Sequence, residues 1–456
     1  MVQSKPGRSR KSGRRNTWNE VCPPLSPGCT GLAGSGNAKR QVHRHPFWRV
    51  FYGDQTRLRS KHNFLWCWGR KRGSETMLRN KETSSFPQQN DRLYFVDNLR
   101  TFVIVLVVIV HVAIVYGGLG SEAITNTQPS GLATFLLAWF SFANLAFFMG
   151  LLFFIAGYFT PASFLRQGSS HFIARRFIRL GIPLIFYDFL INPPILYLRM
   201  SNLNNTAPSI THFFNTYFDY VKGIGTGPMW FVSNLLLFSI VYVLVCTLVG
   251  YRPFKIEAEK GAPGNLSIFI LMVFIAIAAF VLRLVFPIGW QSFTNLRFPY
   301  YWQYLTFFMI GTIAWQRQWL SKWPESVGKL WLSVGVISAL LFPGLMLVGD
   351  FEKIRGGFQF PAMIFSIWES LISIGISLGL LLFFRKHFNK QGKIAHAMSA
   401  SAYTVYIIHV PIIVLLQLAF QGSMLPALMK FVIVSLIAVL ISFVVSHFFI
   451  LRIPMA

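Results

Sequence analysis

Charged residues are scarce in this sequence, and acidic residues are the scarcest. Asp, Glu, Lys and Arg make up 12% of the 456 residues, with 15 acidic residues against 42 basic ones. Soluble domains carry about twice that share of charge. Hydrophobic residues reach 54%, and the mean hydropathy is +0.50. This composition excludes an ordinary soluble globular protein and indicates a membrane protein.

Motifs that mark several enzyme classes are also missing. The sequence has no H-E-x-x-H, no Walker loop, no G-x-G-x-x-G before a helix and no G-x-S-x-G elbow, since its G-x-S-x-G match at residues 375–379 lies inside a long apolar run and not at a strand-to-helix turn. Their absence argues against a hydrolase, a metalloprotease and an ATP-driven pump. The four cysteines form no C-x-x-C pair, so neither a disulfide framework nor a metal site is indicated.

Long apolar segments recur from residue 97 onward. A helix needs about 20 such residues to cross a hydrocarbon core of roughly 30 Å. We therefore predict an all-α polytopic membrane protein with about ten transmembrane helices and a disordered basic N-terminal tail. The predicted spans are residues 97–117, 132–159, 177–198, 229–250, 266–286, 299–316, 329–348, 361–384, 402–420 and 427–450.

Basic residues in the connections between spans predict the orientation. Connections on the cytoplasmic side carry more Lys and Arg than those on the other side. If the tail is cytoplasmic, the connections on its side hold 14 Lys and Arg residues, Arg166 among them, and the opposite connections hold about seven, among which we count Arg283 and Lys430. This bias predicts cytoplasmic termini, a tail over residues 1–92 and a membrane domain over residues 93–452.

The predicted tail holds 19 of the 42 Lys and Arg but only five acidic residues, a net charge of +14. In a soluble protein such an excess would suggest a nucleic-acid partner. Because the tail adjoins a membrane domain, we interpret it as a disordered segment attracted to anionic lipid head groups, with no nucleic acid involved. A basic transit peptide is the alternative interpretation.

The first span contains two ionisable residues that are costly in hydrocarbon. Arg100 and His111 are eleven residues apart, which returns an α-helix to within about 20° and separates the two by roughly 16 Å along the axis. Asp97 lies near the same face. A neutral histidine at this depth could act as a general base, or it could simply hydrogen-bond to a neighbouring helix.

Arg175, Arg176 and Arg179 lie at the predicted cytoplasmic mouth of the third span. Their planar guanidinium groups suit phosphate binding, although a topological anchor is an equal alternative. Gly157, in the second span, predicts close helix packing.

Further polar and aromatic residues in later spans are candidate supporting residues. Tyr406 and His409 share a helix face at a spacing of three residues, and Trp230 follows a glycine-rich stretch. Glu369 and Asp188 are acidic residues within spans, and either could orient an imidazole. Membrane-interface positions explain Trp230 and the two acids equally well.

Taken in order, these stretches resemble the integral-membrane acyltransferase type 3 family, and their residues are most similar to those of its glucan-biosynthesis branch. The resemblance covers about residues 93–450. The matching residues are Arg100 and His111 (R-x10-H), Phe153, Phe154, Gly157 and Tyr158 (FF-x-x-G-F/Y), Arg176 and Arg179 (R-x-x-R), Trp230 and Phe231 (W-F), and Tyr403, Tyr406 and His409 (Y-x-x-Y-x-x-H).

The resemblance implies a membrane-embedded acyltransferase that moves an acetyl or succinyl type of acyl group. The donor would be a cytoplasmic acyl-coenzyme A, used as co-substrate with no permanently bound cofactor. The acceptor would be a carbohydrate hydroxyl at the opposite face of the plasma (inner) membrane. His111 would be the catalytic base, with Arg100 oriented toward the donor.

The same resemblance implies that Arg176 and Arg179, with neighbouring Arg175, bind the coenzyme phosphates. Direct attack and an acyl-histidine intermediate stay open as routes. From the residues alone, a proton-coupled transporter or exporter of a glycan or lipid-linked sugar, relaying protons through His111 and Glu369, is the alternative function. A non-catalytic membrane scaffold is a third hypothesis.

Overall fold

The computed structural model describes residues 92–119, 129–204, 206–220, 227–251, 253, 261–290, 297–348 and 351–448. Apart from Arg92, the predicted N-terminal tail lies outside these described residues. The described part of the chain is helical and contains no strand, as the recurring long apolar segments predict.

The α-helices are α1 (Tyr94–Tyr116), α2 (Gly131–Gln167), α3 (Ser169–Arg176), α4 (Ile182–Phe186), α5 (Asn192–Asn204), α6 (Ile210–Tyr220), α7 (Trp230–Leu248), α8 (Asn265–Val285), α9 (Phe298–Gln316), α10 (Trp319–Lys322), α11 (Glu325–Leu340), α12 (Phe342–Val348), α13 (Phe351–Ile354), α14 (Phe360–His387), α15 (Lys393–Ala419) and α16 (Ala427–Phe448). Two π-helical turns, Phe177–Gly181 and Tyr187–Ile191, join α3, α4 and α5 into one interrupted helix.

Nine of the ten predicted spans each fall on one helix, if the interrupted helix of α3 to α5 counts as one, and residues 329–348 are divided between α11 and α12. Within the described residues, eight helices are long and apolar enough to cross a membrane: α1, α2, the interrupted helix of α3 to α5, α7, α8, α14, α15 and α16. The chain is therefore a multi-pass membrane protein.

The other two predicted spans, on α9 and on α11 with α12, are not both long and apolar enough to meet this criterion, for physical reasons. α9 contains the polar residues Gln303 and Gln316 among several tyrosines, which lowers its apolar character. α11 has 16 residues, fewer than the roughly 20 that cross a bilayer core, and α12 continues after it. Both helices pack against longer spans, α9 on α2 and α11 on α14. The count of ten spans stays a prediction.

Glycines let α2 and α9 approach closely. A Cβ placed on Gly157 would lie 2.1 Å from the carbonyl oxygen of Phe308, and one placed on Gly311 would lie 2.3 Å from that of Phe154. Only glycine tolerates such contacts, because any larger residue would force the two backbones apart. The predicted packing role of Gly157 is confirmed.

α1 occupies a central position in the bundle. In the described part of the chain it packs against α2, α14, α15 and α16. Aliphatic residues such as Leu99, Val103 and Val108 are fully buried in these contacts. Because α1 has neighbours on several sides, polar residues on it can face the protein interior, where they avoid the cost of facing lipid.

Candidate active site

Arg100 and His111 both face α15. An Nη atom of Arg100 donates a hydrogen bond to the carbonyl oxygen of Ser399 at 3.3 Å. The ring of His111 lies edge-on to that of His409, with 4.7 Å between centroids and 76° between planes. The two contacts follow the same order along both helices, so α1 and α15 run parallel. The spacing of eleven residues thus puts both side chains on one face of α1.

Asp97 is buried at the cytoplasmic end predicted for this face. Its carboxylate lies 2.8 Å from Nε of Arg92 and 3.8 Å from a guanidinium nitrogen of Arg100. Asp97 is 1% exposed, so this shared charge acts in a medium less polar than water. The pairing limits the orientations that the Arg100 side chain can adopt.

A pocket opens beside Arg100, and its empty space, counted together with the open solvent at its mouth, is about 1340 Å³. Its walls come from α1, α2, α3, the first π-turn, α7 and α15. The pocket has a basic mouth and a more apolar interior that includes Ile104, Leu152 and Ile155. The arginines that line it are Arg100, Arg166, Arg175, Arg176 and Arg179.

The interrupted helix positions two of these arginines. Arg176 donates to the hydroxyl of Thr160 at 3.3 Å and lies 4.9 Å from the ring centroid of Phe172. Arg179 lies within the first π-turn, and its carbonyl oxygen accepts a hydrogen bond from the Tyr403 hydroxyl at 2.9 Å. A π-turn displaces carbonyls from the regular helical bonding pattern, and such turns are frequent at functional sites. Tyr403 therefore ties the turn that carries Arg179 to α15.

Aromatic residues form the inner end of the pocket. Tyr406 and Phe231 line it, with their ring centroids 5.9 Å apart, and the Tyr406 hydroxyl donates to the carbonyl of Pro228. His409 lies one helical turn beyond Tyr406, with 5.8 Å between ring centroids. The histidine pair thus lies just past the aromatic end of the pocket.

Trp230 belongs to an aromatic stack next to this inner end. Its ring is stacked on Tyr304 at 5.3 Å, and the guanidinium of Arg297 lies 5.9 Å from its centroid. The indole is half-buried. Trp230 therefore packs beside the site through Phe231, its neighbour in the chain.

Glu369 lies in a different polar cluster. Its carboxylate accepts a hydrogen bond from Nη2 of Arg283 at 2.6 Å, and both side chains are buried. Arg283 also donates to the carbonyl of Pro299 and to the hydroxyl of Ser366. The assignment of Arg283 to a loop is wrong, since the residue lies inside α8 and needs a buried acid as its partner. Glu369 is that partner.

Lys430 and Asp188 also lie within helices. Lys430, counted with the loop charges, lies in the first turn of α16 and is 8% exposed. Asp188 is buried in the second π-turn, where its backbone carbonyl accepts a hydrogen bond from Tyr217. Neither residue lines the arginine pocket.

Comparison with known proteins decides what kind of protein carries this site. The family described as "Acyltransferase domain", acyltransferase type 3, matches residues 93–447, well over half of the chain. The chain belongs to this family. The matched region contains the pocket, the histidine pair and the Arg283–Glu369 cluster.

Two curated relatives are glucans biosynthesis protein C of Salmonella typhi and of Salmonella typhimurium strain LT2. Each is 25% identical to this chain over 239 residues, and the match covers 49% of the chain. The chain spans 58% of the length of each of these relatives.

Arg166 is the arginine that motif reasoning missed. It lies in the last turn of α2, two residues before Gly168, whose φ of 72° starts the turn into α3. This short turn brings Arg166 to the same pocket as Arg175 and Arg176. The signal in the sequence is the clustering of basic residues on both sides of Gly168, which the loop-charge argument uses only to predict orientation.

Proposed function

We propose that the protein is a membrane O-acyltransferase and that its acyl donor is an acyl-coenzyme A bound in the arginine pocket. The observation that carries this proposal is the convergence of five arginine side chains on one pocket that opens beside the polar face of α1. Guanidinium groups form paired, charge-assisted hydrogen bonds with phosphate oxygens, and the donor carries several phosphates. The apolar interior of the pocket suits the long pantetheine arm.

The transfer step is assigned to His111. The pocket wall includes Ile104, and His111 lies seven residues further along the same face, a rise of about 10 Å. A donor anchored by its phosphates at the mouth would extend its thioester toward the histidine pair. His111 then acts as general base on the acceptor hydroxyl, or carries the acyl group transiently, while Arg100 orients the donor.

The acceptor is proposed to be a carbohydrate hydroxyl that approaches from the opposite face of the membrane. The name of the curated relatives, glucans biosynthesis protein C, supports a glycan acceptor. An acetyl or succinyl type of acyl group is the expected cargo. The basic mouth of the pocket would lie on the cytoplasmic side of the plasma (inner) membrane, with both termini in the cytoplasm, in keeping with the loop charges.

The transporter alternative is less well supported by the contacts. It uses Glu369 as the second member of a proton relay with His111. The carboxylate of Glu369 is bound by Arg283 in a separate buried cluster.

Mass spectrometry of surface glycans from cells with and without the gene tests the proposal. We expect an acetyl or succinyl mass that disappears with the gene and returns when the full chain is expressed. Isotopically labelled acetyl- or succinyl-coenzyme A added to membrane vesicles should pass its label to the same glycan. Glycan movement across vesicles without any acyl donor would favour the transporter instead.

A further inference from the structure

His409 is a buried titratable residue whose role the proposed function leaves open. Its side chain is 0% exposed, and its ring contacts that of His111. In the described structure, Nε2 of His409 has no hydrogen-bond partner. An unpaired polar atom in a protein interior costs about 1–3 kcal/mol, so its presence beside the candidate base calls for a functional reason.

Backbone contacts define which ring nitrogen carries the proton in each histidine. Nδ1 of His409 lies 2.7 Å from the carbonyl oxygen of Tyr406, and Nδ1 of His111 lies 2.8 Å from that of Val107. A carbonyl only accepts hydrogen bonds, so each Nδ1 is the donor. In the neutral form of either ring, Nε2 therefore carries the lone pair.

We propose that His409 is a proton-sharing partner of His111, a positioning residue that accepts at Nε2 the proton which His111 gains during acyl transfer. This inference rests on the proposed function, in which His111 is the base. Two neutral rings with lone pairs at Nε2 have no hydrogen to share. Once His111 has gained a proton, its N–H can donate to Nε2 of His409, which gives that atom a partner and makes the protonated pair more favourable than an isolated imidazolium.

The step balances without any further reagent. His111 removes the proton of the acceptor hydroxyl, and the oxygen attacks the carbonyl carbon of the thioester. The new C–O bond forms, the C–S bond breaks, and the electron pair leaves with the coenzyme thiolate. The proton held between His111 and His409 then passes to that thiolate, which releases the free thiol and returns both rings to the neutral state.

The hydroxyl of Tyr406, one helical turn before His409, donates to the carbonyl of Pro228, so its hydrogen is not available to Nε2 of His409. Serine proteases use a buried carboxylate to hold and stabilise the catalytic histidine. A neutral imidazole can serve the same purpose here, with a smaller cost of burial than an unpaired carboxylate would carry.

Two substitutions at position 409 separate proton sharing from packing. In His409→Gln an amide oxygen can still accept a hydrogen bond from protonated His111, whereas His409→Leu fills the apolar site but cannot accept one. We expect kcat to fall about 100-fold or more in His409→Leu and about 10-fold in His409→Gln, with the donor KM unchanged in both. A packing role predicts the reverse order, because leucine suits a buried site better than glutamine does.

The assay uses membranes that contain the full chain, with acetyl- or succinyl-coenzyme A as donor and glucan oligosaccharides as acceptor. Release of coenzyme thiol is the readout, thermal unfolding in detergent reports folding, and His387→Gln, at an exposed position, is the matched control. If His409→Leu does not fold, His409→Gln is compared with the double variant His111→Ala/His409→Gln. If His111 and His409 act as a unit, the double variant should have the same kcat as His111→Ala alone.

The outcomes distinguish the two proposals. A wild-type protein that releases no thiol with either donor overturns the acyl-coenzyme A proposal, and the role of His409 with it. If the wild type is active and His409→Leu keeps its kcat, the role of His409 alone is overturned. The same holds if His409→Leu keeps a higher kcat than His409→Gln. Fully additive losses in the double variant would also overturn it.

Discussion

Two pairs of polar side chains join helices in this protein, and they differ in how hydrogen bonds satisfy their buried members. The Arg283–Glu369 pair joins α8 to α14 through a 2.6 Å contact, and Arg283 has further partners in Ser366 and Pro299. The histidine pair joins α1 to α15, yet Nε2 of His409 has no hydrogen-bond partner in the described structure. Several hydrogen bonds hold Arg283 and Glu369, whereas Nε2 of His409 can still accept one.

This difference separates structural polar residues from chemical ones. A buried charge is stable only when its partners are in place, so a saturated ion pair has little freedom to exchange protons or bind substrate. A neutral histidine is cheaper to bury and retains a lone pair that can accept a proton. The histidine pair also lies next to a basic pocket, whereas Arg283 and Glu369 do not line that pocket.

Replacing His111 should produce the largest effect on acyl transfer, and it tests whether the histidine pair has a chemical role. We expect His111→Ala to lower acyl transfer by about 10²–10⁴-fold, because a general base is lost, with little change in thermal unfolding. The measurement is thiol release from an acyl-coenzyme A in membranes, and His447→Ala, at an exposed position of α16, is the control. Full activity in a normally inserted His111→Ala protein would contradict the assignment.

Replacing Arg283 tests whether the Arg283–Glu369 ion pair has a structural role. Arg283→Ala leaves Glu369 buried without its partner, so we expect a loss of about 3–5 kcal/mol in the free energy of unfolding. Thermal unfolding in detergent reports the change, and any remaining folded protein should keep the wild-type donor KM. The exposed pair of Arg355 and Glu352 gives the control, since Glu352→Ala should cost about 0–1 kcal/mol. Equal losses in both variants would refute the distinction.

Replacing an arginine of the basic pocket should have a smaller effect, on the donor KM, and tests whether the pocket beside the histidine pair binds the donor. Arg175 lines the pocket but is exposed to solvent, so Arg175→Gln should leave folding unchanged. We expect the donor KM to rise about 10-fold at unchanged kcat, because one charge-assisted contact to phosphate is lost. Arg317→Gln, a basic residue outside the pocket, is the matched control. Similar KM values for both variants would place the donor phosphates elsewhere.

The smallest expected effect comes from replacing the whole ion pair. A protein with Arg283→Met and Glu369→Leu removes both charges together, so its stability should return to within about 1 kcal/mol of the wild type. Acyl transfer should also stay near the wild-type rate. Thermal unfolding and thiol release measure the two properties in the same preparation. Loss of transfer in a stable double variant would give Glu369 a role in catalysis, as the proton-relay hypothesis requires.

Much of this arrangement follows rules that act along the chain. The apolar runs predict the positions of the helices, and a rotation of 100° per residue puts Arg100 and His111 on one face. Gly157 signals a close helix contact because small residues recur where membrane helices approach. These predictions need only local geometry and the thickness of a bilayer.

Contacts between distant helices could not be read in the same way. From the sequence alone, Glu369 is a candidate partner for His111 and Arg283 is a loop charge, whereas the packing of α8 on α14 pairs the two residues with each other. Arg166 was likewise counted only for orientation. A buried ion pair gives no periodic signal, because its members are 86 residues apart and their meeting depends on which helices become neighbours.

The sequence alone therefore determined that this is a multi-pass helical membrane protein with a polar face on its first span and basic residues at one end of its helices. The tertiary structure decided which polar groups meet: histidine with histidine, Arg283 with Glu369, and five arginines around one pocket. The physical reason is that hydrophobicity and helical periodicity act within a segment, whereas partner choice depends on how separate helices pack.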